Sequence, residues 1–128
     1  MKRIVLAEDD SDDQDMVREI VRDLAANVDL LVFDDGEKLI GGMKRLMKDE
    51  LPNLIILDQN MPRLKGTETI SHLKTMSGFE NIPAVIYTTY HDLKFAEDCK
   101  RRNIQLFQKP DTYEAFSKMI EELLERYV

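Results

Sequence analysis

Five short aliphatic runs alternate along this chain with longer stretches in which apolar positions recur every three or four residues. The runs are Ile4-Val5-Leu6-Ala7, Leu30-Leu31-Val32-Phe33, Leu54-Ile55-Ile56-Leu57, Ala84-Val85-Ile86-Tyr87 and Ile104-Gln105-Leu106-Phe107-Gln108. Nearly uninterrupted apolar runs of this length fit strands buried on both faces, as inside a parallel sheet. Helices are expected between them. The first begins at Ser11 as N-cap with Gln14 reaching back, and buries Met16, Val17, Ile20, Val21 and Leu24. The second buries Leu39, Ile40, Met43, Leu46 and Met47, and its Gly41-Gly42 pair costs about 1 kcal/mol per Gly relative to Ala. The third follows Lys65-Gly66 with Ile70, Leu73 and Met76 inward, and the fourth runs from about Asp92 to Arg102. The fifth opens on Asp111 and Glu114 as a capping box, followed by Phe116, Met119, Ile120, Leu123, Leu124 and Tyr127. Five βα units with crossovers of this length predict one doubly wound α/β domain over residues 1–128, its parallel sheet covered by helices on both faces.

The strand ends carry the chemistry. Asp58 closes the third run, Glu8-Asp9-Asp10 follow the first, Thr88-Thr89 the fourth and Lys109-Pro110 the fifth. In open α/β sheets, ligands bind in the crevice beyond the carboxyl ends of the strands. Glu8, Asp9 and Asp58 would converge there, and like charges held together force up a pKa or require a cation. Oxygen donors without Cys or His favour a hard ion, and two or three carboxylates plus water suit Mg²⁺. The backbone carbonyl of Asn60 is placed to complete such a site, Lys109 adds a positive charge and Thr88 a hydroxyl. A small dianion would sit beside Asp58, which would act as an in-line nucleophile in phosphoryl transfer. A cis Lys109-Pro110 bond would turn Lys109 into the site.

Composition narrows the partners. The net charge is −7 and the basic residues are dispersed, which argues against nucleic acid. No apolar stretch approaches the roughly 20 residues of a membrane span, and the N-terminus is too short in apolar residues for a signal peptide. A cytoplasmic protein without membrane contact is expected. One Cys excludes an internal disulfide, and Cys99 falls on an apolar helix face with Phe95 and Ala96. Asp10, Asp12, Asp13 and Asp15 read as first-turn acids favoured by the helix dipole. His72 and His91 read as surface residues without companion ligands.

Glu8-Asp9, Asp58 with Met61-Pro62 and Gly66 behind it, Thr88 and Lys109-Pro110 stand in one order along the chain. In that order they resemble the motifs of response-regulator receiver domains, the family of the single-domain chemotaxis receivers. The resemblance implies a flavodoxin-like fold with strand order 2-1-3-4-5 and five flanking helices. It implies that Asp58 accepts a phosphoryl group from the phosphohistidine of a sensor histidine kinase or phosphotransfer protein. Asp9, Asp58 and the Asn60 carbonyl would ligate Mg²⁺ directly, and Glu8 directly or through water. Thr88 would follow the phosphoryl group on activation and Lys109 would pair with it. Such a domain is not a turnover enzyme, and its signal would pass through contacts with a downstream protein.

The chain departs from the family at Leu106, where a Tyr or Phe is usual three residues before the Lys, and Phe107 faces the other side of the strand. Asn60 and Tyr90 occupy the positions that flank the path of hydrolytic water, and the Tyr90 ring would slow loss of the phosphoryl group. Two alternatives stay open. One is a receiver fold that docks without phosphorylation. The other is an aspartyl-phosphate phosphatase, which would need an acid at position 60, where this chain has Asn.

Overall fold

The computed structural model describes residues 2–89 and 92–128. The elements are β1 (Arg3–Ala7), α1 (Ser11–Leu24), β2 (Asp29–Phe33), α2 (Gly36–Lys44), a short 3-10 turn (Lys48–Glu50), β3 (Leu54–Asp58), α3 (Gly66–Lys74), β4 (Ala84–Thr88), α4 (Leu93–Arg101), β5 (Gln105–Gln108) and α5 (Tyr113–Tyr127). The five strands are parallel and ordered β2-β1-β3-β4-β5. This is the doubly wound arrangement that the alternation of patterns predicts.

Side-chain alternation divides the interior into two layers. Ile4, Leu6, Leu54, Ile56, Val85 and Tyr87 face Val17 and Ile20 of α1 and Phe116, Ile120 and Leu123 of α5. Val5, Ala7, Ile55, Leu57 and Ile86 face Leu39 and Met43 of α2, Ile70 and Leu73 of α3 and Cys99 of α4. The central strands β1 and β3 feed both layers, which is why their sequences are apolar without alternation. Each fully buried Leu or Ile contributes about 1.5–3 kcal/mol, so the sheet centre is the most strongly held part of the molecule.

Several local expectations are corrected. Asp10, not Ser11, caps α1, accepting the Asp13 N–H at 3.0 Å. Gln14 turns inward instead, its amide donating to the Glu8 carbonyl and to Asp34. Thr112, not Asp111, caps α5 through a 3.2 Å bond from the Ala115 N–H. Met47 is exposed because α2 stops at Lys44 and the 3-10 turn breaks the stripe before it. Leu24 ends α1 and is 40% exposed. No cis peptide occurs among the described residues, so the Lys109-Pro110 bond is trans. Lys109 reaches the site by extending the ladder, its N–H donating to the Thr88 carbonyl at 2.8 Å. Among the described residues no helix is long and apolar enough to cross a membrane.

Candidate functional site

Strand register assembles the site. Ala7 lies beside Leu57, Asp58 beside Tyr87 and Thr88 beside Gln108, so the residues at and just beyond the strand ends share one edge of the sheet. Glu8 extends β1, its N–H donating to the Phe33 carbonyl at 3.0 Å. Behind Asp58, the start of α3 comes close against the strand. A Cβ on Gly66 would lie 2.6 Å from the Asp58 carbonyl oxygen, so only glycine allows this approach. The loop between them is pinned by Arg63, which adopts φ 68° and pairs with the buried Asp35 at 2.9 Å.

Glu8 is fully buried and Asp58 is 5% exposed. Ligand oxygens of Glu8, Asp9 and Asp58 all lie within 4.8 Å of one another. Lys109 Nζ pairs with Glu8 Oε1 at 2.8 Å and Asp13 Oδ2 at 2.9 Å, and stands 3.8 Å from Asp58 Oδ2. The same ammonium sits 4.7 Å from the centre of the Tyr87 ring. The Tyr87 hydroxyl donates to Glu8 Oε1, and Glu8 Oε2 accepts the Asp10 N–H at 3.1 Å. Asn60 donates to Asp58 Oδ1 through its N–H at 3.4 Å, and its side-chain amide is 3.4 Å from Thr88 Oγ1.

The charges leave their mark on acidity. Burial, reinforced by the Glu8 charge and opposed by Lys109, pushes the Asp58 carboxyl up to about 7. Burial and Glu8 also raise Asp9, against a hydrogen bond from its own backbone. Burial alone would lower Lys109, but hydrogen bonds to Asp13 and Glu8 and the Asp58 charge outweigh it and hold the ammonium above its ordinary value. Burial, then Glu8, keeps the Tyr87 phenol protonated far beyond its usual range. Four acids, Glu8, Asp9, Asp13 and Asp58, gather around one ammonium, and the all-oxygen donor set of Glu8, Asp9 and Asp58 fits a hard divalent ion.

The family model of the response regulator receiver domain matches residues 4–121. The chain belongs to this family. It is 31% identical to the response regulator Rcp1 of Synechocystis over 94 residues, covering 71% of this chain and 64% of that protein. The chain therefore spans just under two thirds of that relative. The structure of Mn(2+)-bound Rcp1 superposes with a TM-score of 0.82 at 24% identity, covering 96% of this chain and 91% of the other. The chemotaxis protein CheY4 of Vibrio cholerae gives a TM-score of 0.80 at 20% identity, covering 100% and 99%. The receiver domain of a sensor histidine kinase from Pseudomonas aeruginosa, with magnesium coordinated in its active-site cleft, gives 0.79 at 18%, covering 98% and 96%.

In this receiver domain the expected residues Glu8, Asp9, Asp58, Asn60, Thr88 and Lys109 gather at the carboxyl edge of the sheet. Leu106 packs with the α2–α4 layer and Phe107 with the α1–α5 layer, so the ring that β5 carries lies on the opposite face of the strand from Leu106. There, a cleft of about 180 Å³ opens between α4 and β5, lined by Thr88, Asp92, Leu93, Ala96 and Leu106 among others. His72 is exposed on α3 and Cys99 is buried. Tyr90 and His91 lie outside the described residues.

Two residues of the receiver site escaped the sequence reading. Asp13 is a first-turn acid as expected, yet it also holds Lys109. Tyr87 stands on the buried side of β4, edge-on to Phe116 with ring centres 5.8 Å apart, and sends its hydroxyl to Glu8. A tyrosine inside an aliphatic run was the available signal, because a buried phenol needs a hydrogen-bond partner.

Proposed function

We propose that this receiver domain, spanning residues 1–128, takes a phosphoryl group onto Asp58 from the phosphohistidine of a sensor histidine kinase or phosphotransfer protein. An Asp58 carboxylate oxygen attacks phosphorus, the P–O bond forms as the P–N bond breaks, and the imidazole leaves with the electron pair. Glu8, Asp9, Asp58 and the Asn60 carbonyl would hold Mg²⁺, which when bound neutralises phosphoryl oxygens and favours the ionised form of Asp58. The Mn(2+)-bound and magnesium-bound relatives support a divalent ion in this family. Lys109 supplies the second positive charge and Thr88 a hydroxyl for the transferred group. The product is a covalent signalling state, read by a downstream protein, and the domain is not a turnover enzyme. A cytoplasmic location follows from a kinase partner of this kind.

One observation carries the reading: a nearly buried Asp58 stands between a pair of acids and a lysine 3.8 Å away, at the end of a central strand. Treatment with acetyl phosphate or phosphoramidate and Mg²⁺ should add one phosphate by mass, and Asp58→Asn should add none. Label on the Asn variant would refute Asp58 as acceptor. Continuous turnover of the donor would favour a phosphatase, and absence of label on the native chain a docking module.

A further inference from the structure

Tyr87 lies outside the group of acids that would hold the metal, yet both faces of its chemistry are turned toward the site. Its hydroxyl donates to Glu8 Oε1, and its ring lies under the Lys109 ammonium, 4.7 Å from Nζ. Lys109 donates to the same Oε1 at 2.8 Å. One oxygen of a fully buried carboxylate thus has two donors, one movable and one fixed. Tyr87 is the fixed one: its ring is fully buried and braced edge-on by Phe116. Among the described residues Glu8 Oε2 accepts the Asp10 N–H and neither of these two donors, which makes it the oxygen that would serve a cation.

Lys109 lies closer to Glu8 and Asp13, at 2.8 and 2.9 Å, than to Asp58, with which it pairs at 3.8 Å. Pairing with a phosphoryl group on Asp58 requires the ammonium to give up part of that engagement. A buried carboxylate oxygen stripped of its donor carries a large desolvation cost. We infer that Tyr87 is a positioning residue, whose hydroxyl keeps Glu8 satisfied and aimed at the metal while Lys109 is transferred to the phosphoryl group. The role rests on the receiver reading given above. It separates two tasks that would otherwise fall on one lysine, orienting Glu8 and meeting the incoming charge.

The test uses Tyr87→Phe, which keeps the ring, its contact with Phe116 and the face under Lys109. Titration with Mg²⁺ and then with beryllofluoride, a phosphoryl mimic, reads the two states separately. Mg²⁺ alone should bind the variant within about threefold of the native chain, because Lys109 still holds Glu8. Beryllofluoride in saturating Mg²⁺ should bind roughly tenfold more weakly, about 1.4 kcal/mol. Equal beryllofluoride affinity in the two proteins, or an equal loss in both titrations, overturns the role, since a structural defect alone would not single out one ligand. If the native chain fails to bind beryllofluoride at all, the receiver reading falls and this inference with it. A measurement on the native chain is independent of the variant's folding: the hydrogen-bonded Tyr87 hydroxyl proton, followed by NMR, should persist in the free, Mg²⁺ and beryllofluoride states. Its loss on beryllofluoride binding would show that Tyr87 releases Glu8, and would refute the assignment.

Discussion

Lys109 Nζ and Glu8 Oε1 lie 2.8 Å apart although 101 residues separate them in the chain. Neither side chain has ready access to water, with 9% and 0% of its surface exposed. Breaking one partner of such a pair is far costlier than the pair is worth, because the other charge stays behind. Lys109→Ala should lower unfolding free energy at pH 7 without metal by about 3–5 kcal/mol in urea titrations. A loss below about 1 kcal/mol, the range of exposed pairs, would mean that Glu8 gains its stability elsewhere.

Asp58 makes the opposite contribution. Its carboxyl holds a proton up to about pH 7 in the folded, metal-free chain, against an ordinary value of 3.8. The folded state therefore binds more protons than the unfolded state between these values, and stability falls as pH rises through that window. Asp58→Asn, which cannot ionise, should be the more stable protein at pH 8, on the order of 2 kcal/mol at about 1.4 kcal/mol per pKa unit and partial relaxation. The advantage should vanish near pH 4, and Mg²⁺ should narrow it at pH 8. Thermal melts across this range would check it. An advantage independent of pH would rule out the ionisation as its source.

The close approach at Gly66 gives a prediction of stability and activity together. A methyl group there would stand 2.6 Å from the Asp58 carbonyl, a backbone atom of β3, and 2.7 Å from Cδ1 of the fully buried Ile86. Gly66→Ala should cost about 1–3 kcal/mol, the usual range for overpacking. It should also slow labelling of Asp58 by displacing the strand end. Normal labelling in a clearly destabilised variant would separate the packing of α3 from the geometry of Asp58.

Leu106 bears on how far the domain rearranges. A Leu side chain has no ring to swing between exposed and buried rotamers, and the α4–β5 cleft beside it is lined by Leu106 itself. Amide shifts on adding beryllofluoride should accordingly be small across 104–108 and larger at Thr88 and at the loop after Asp58. Large shifts confined to 104–108 would refute this.

The sheet was legible because its central strands leave little choice: four aliphatic residues bounded by turn residues cannot be placed on a surface. The edge of the site was legible for the same reason, since parallel strands in one sheet put their carboxyl ends side by side. The caps were not. Asp10 and Ser11 are both competent caps, as are Asp111 and Thr112, and tertiary partners decide between them; Gln14 is drawn inward by the Glu8 carbonyl. Tyr87 was missed because its partner lies 79 residues away, beyond the reach of any local pattern. Lys109 was assigned the right place by the wrong device, as the trans ladder alone carries it there.

The order of the strands also governs when the site can come into being. β5 sits at the sheet margin beside β4, and it is the last strand in the chain. Until it docks, Glu8 and Asp58 face each other without an ammonium, and long-range closures of this kind are slow to form. A chain with its first four strands paired and β5 undocked would carry an unbalanced acidic pocket around Glu8 and Asp58, so the charge balance of the site depends on a complete sheet.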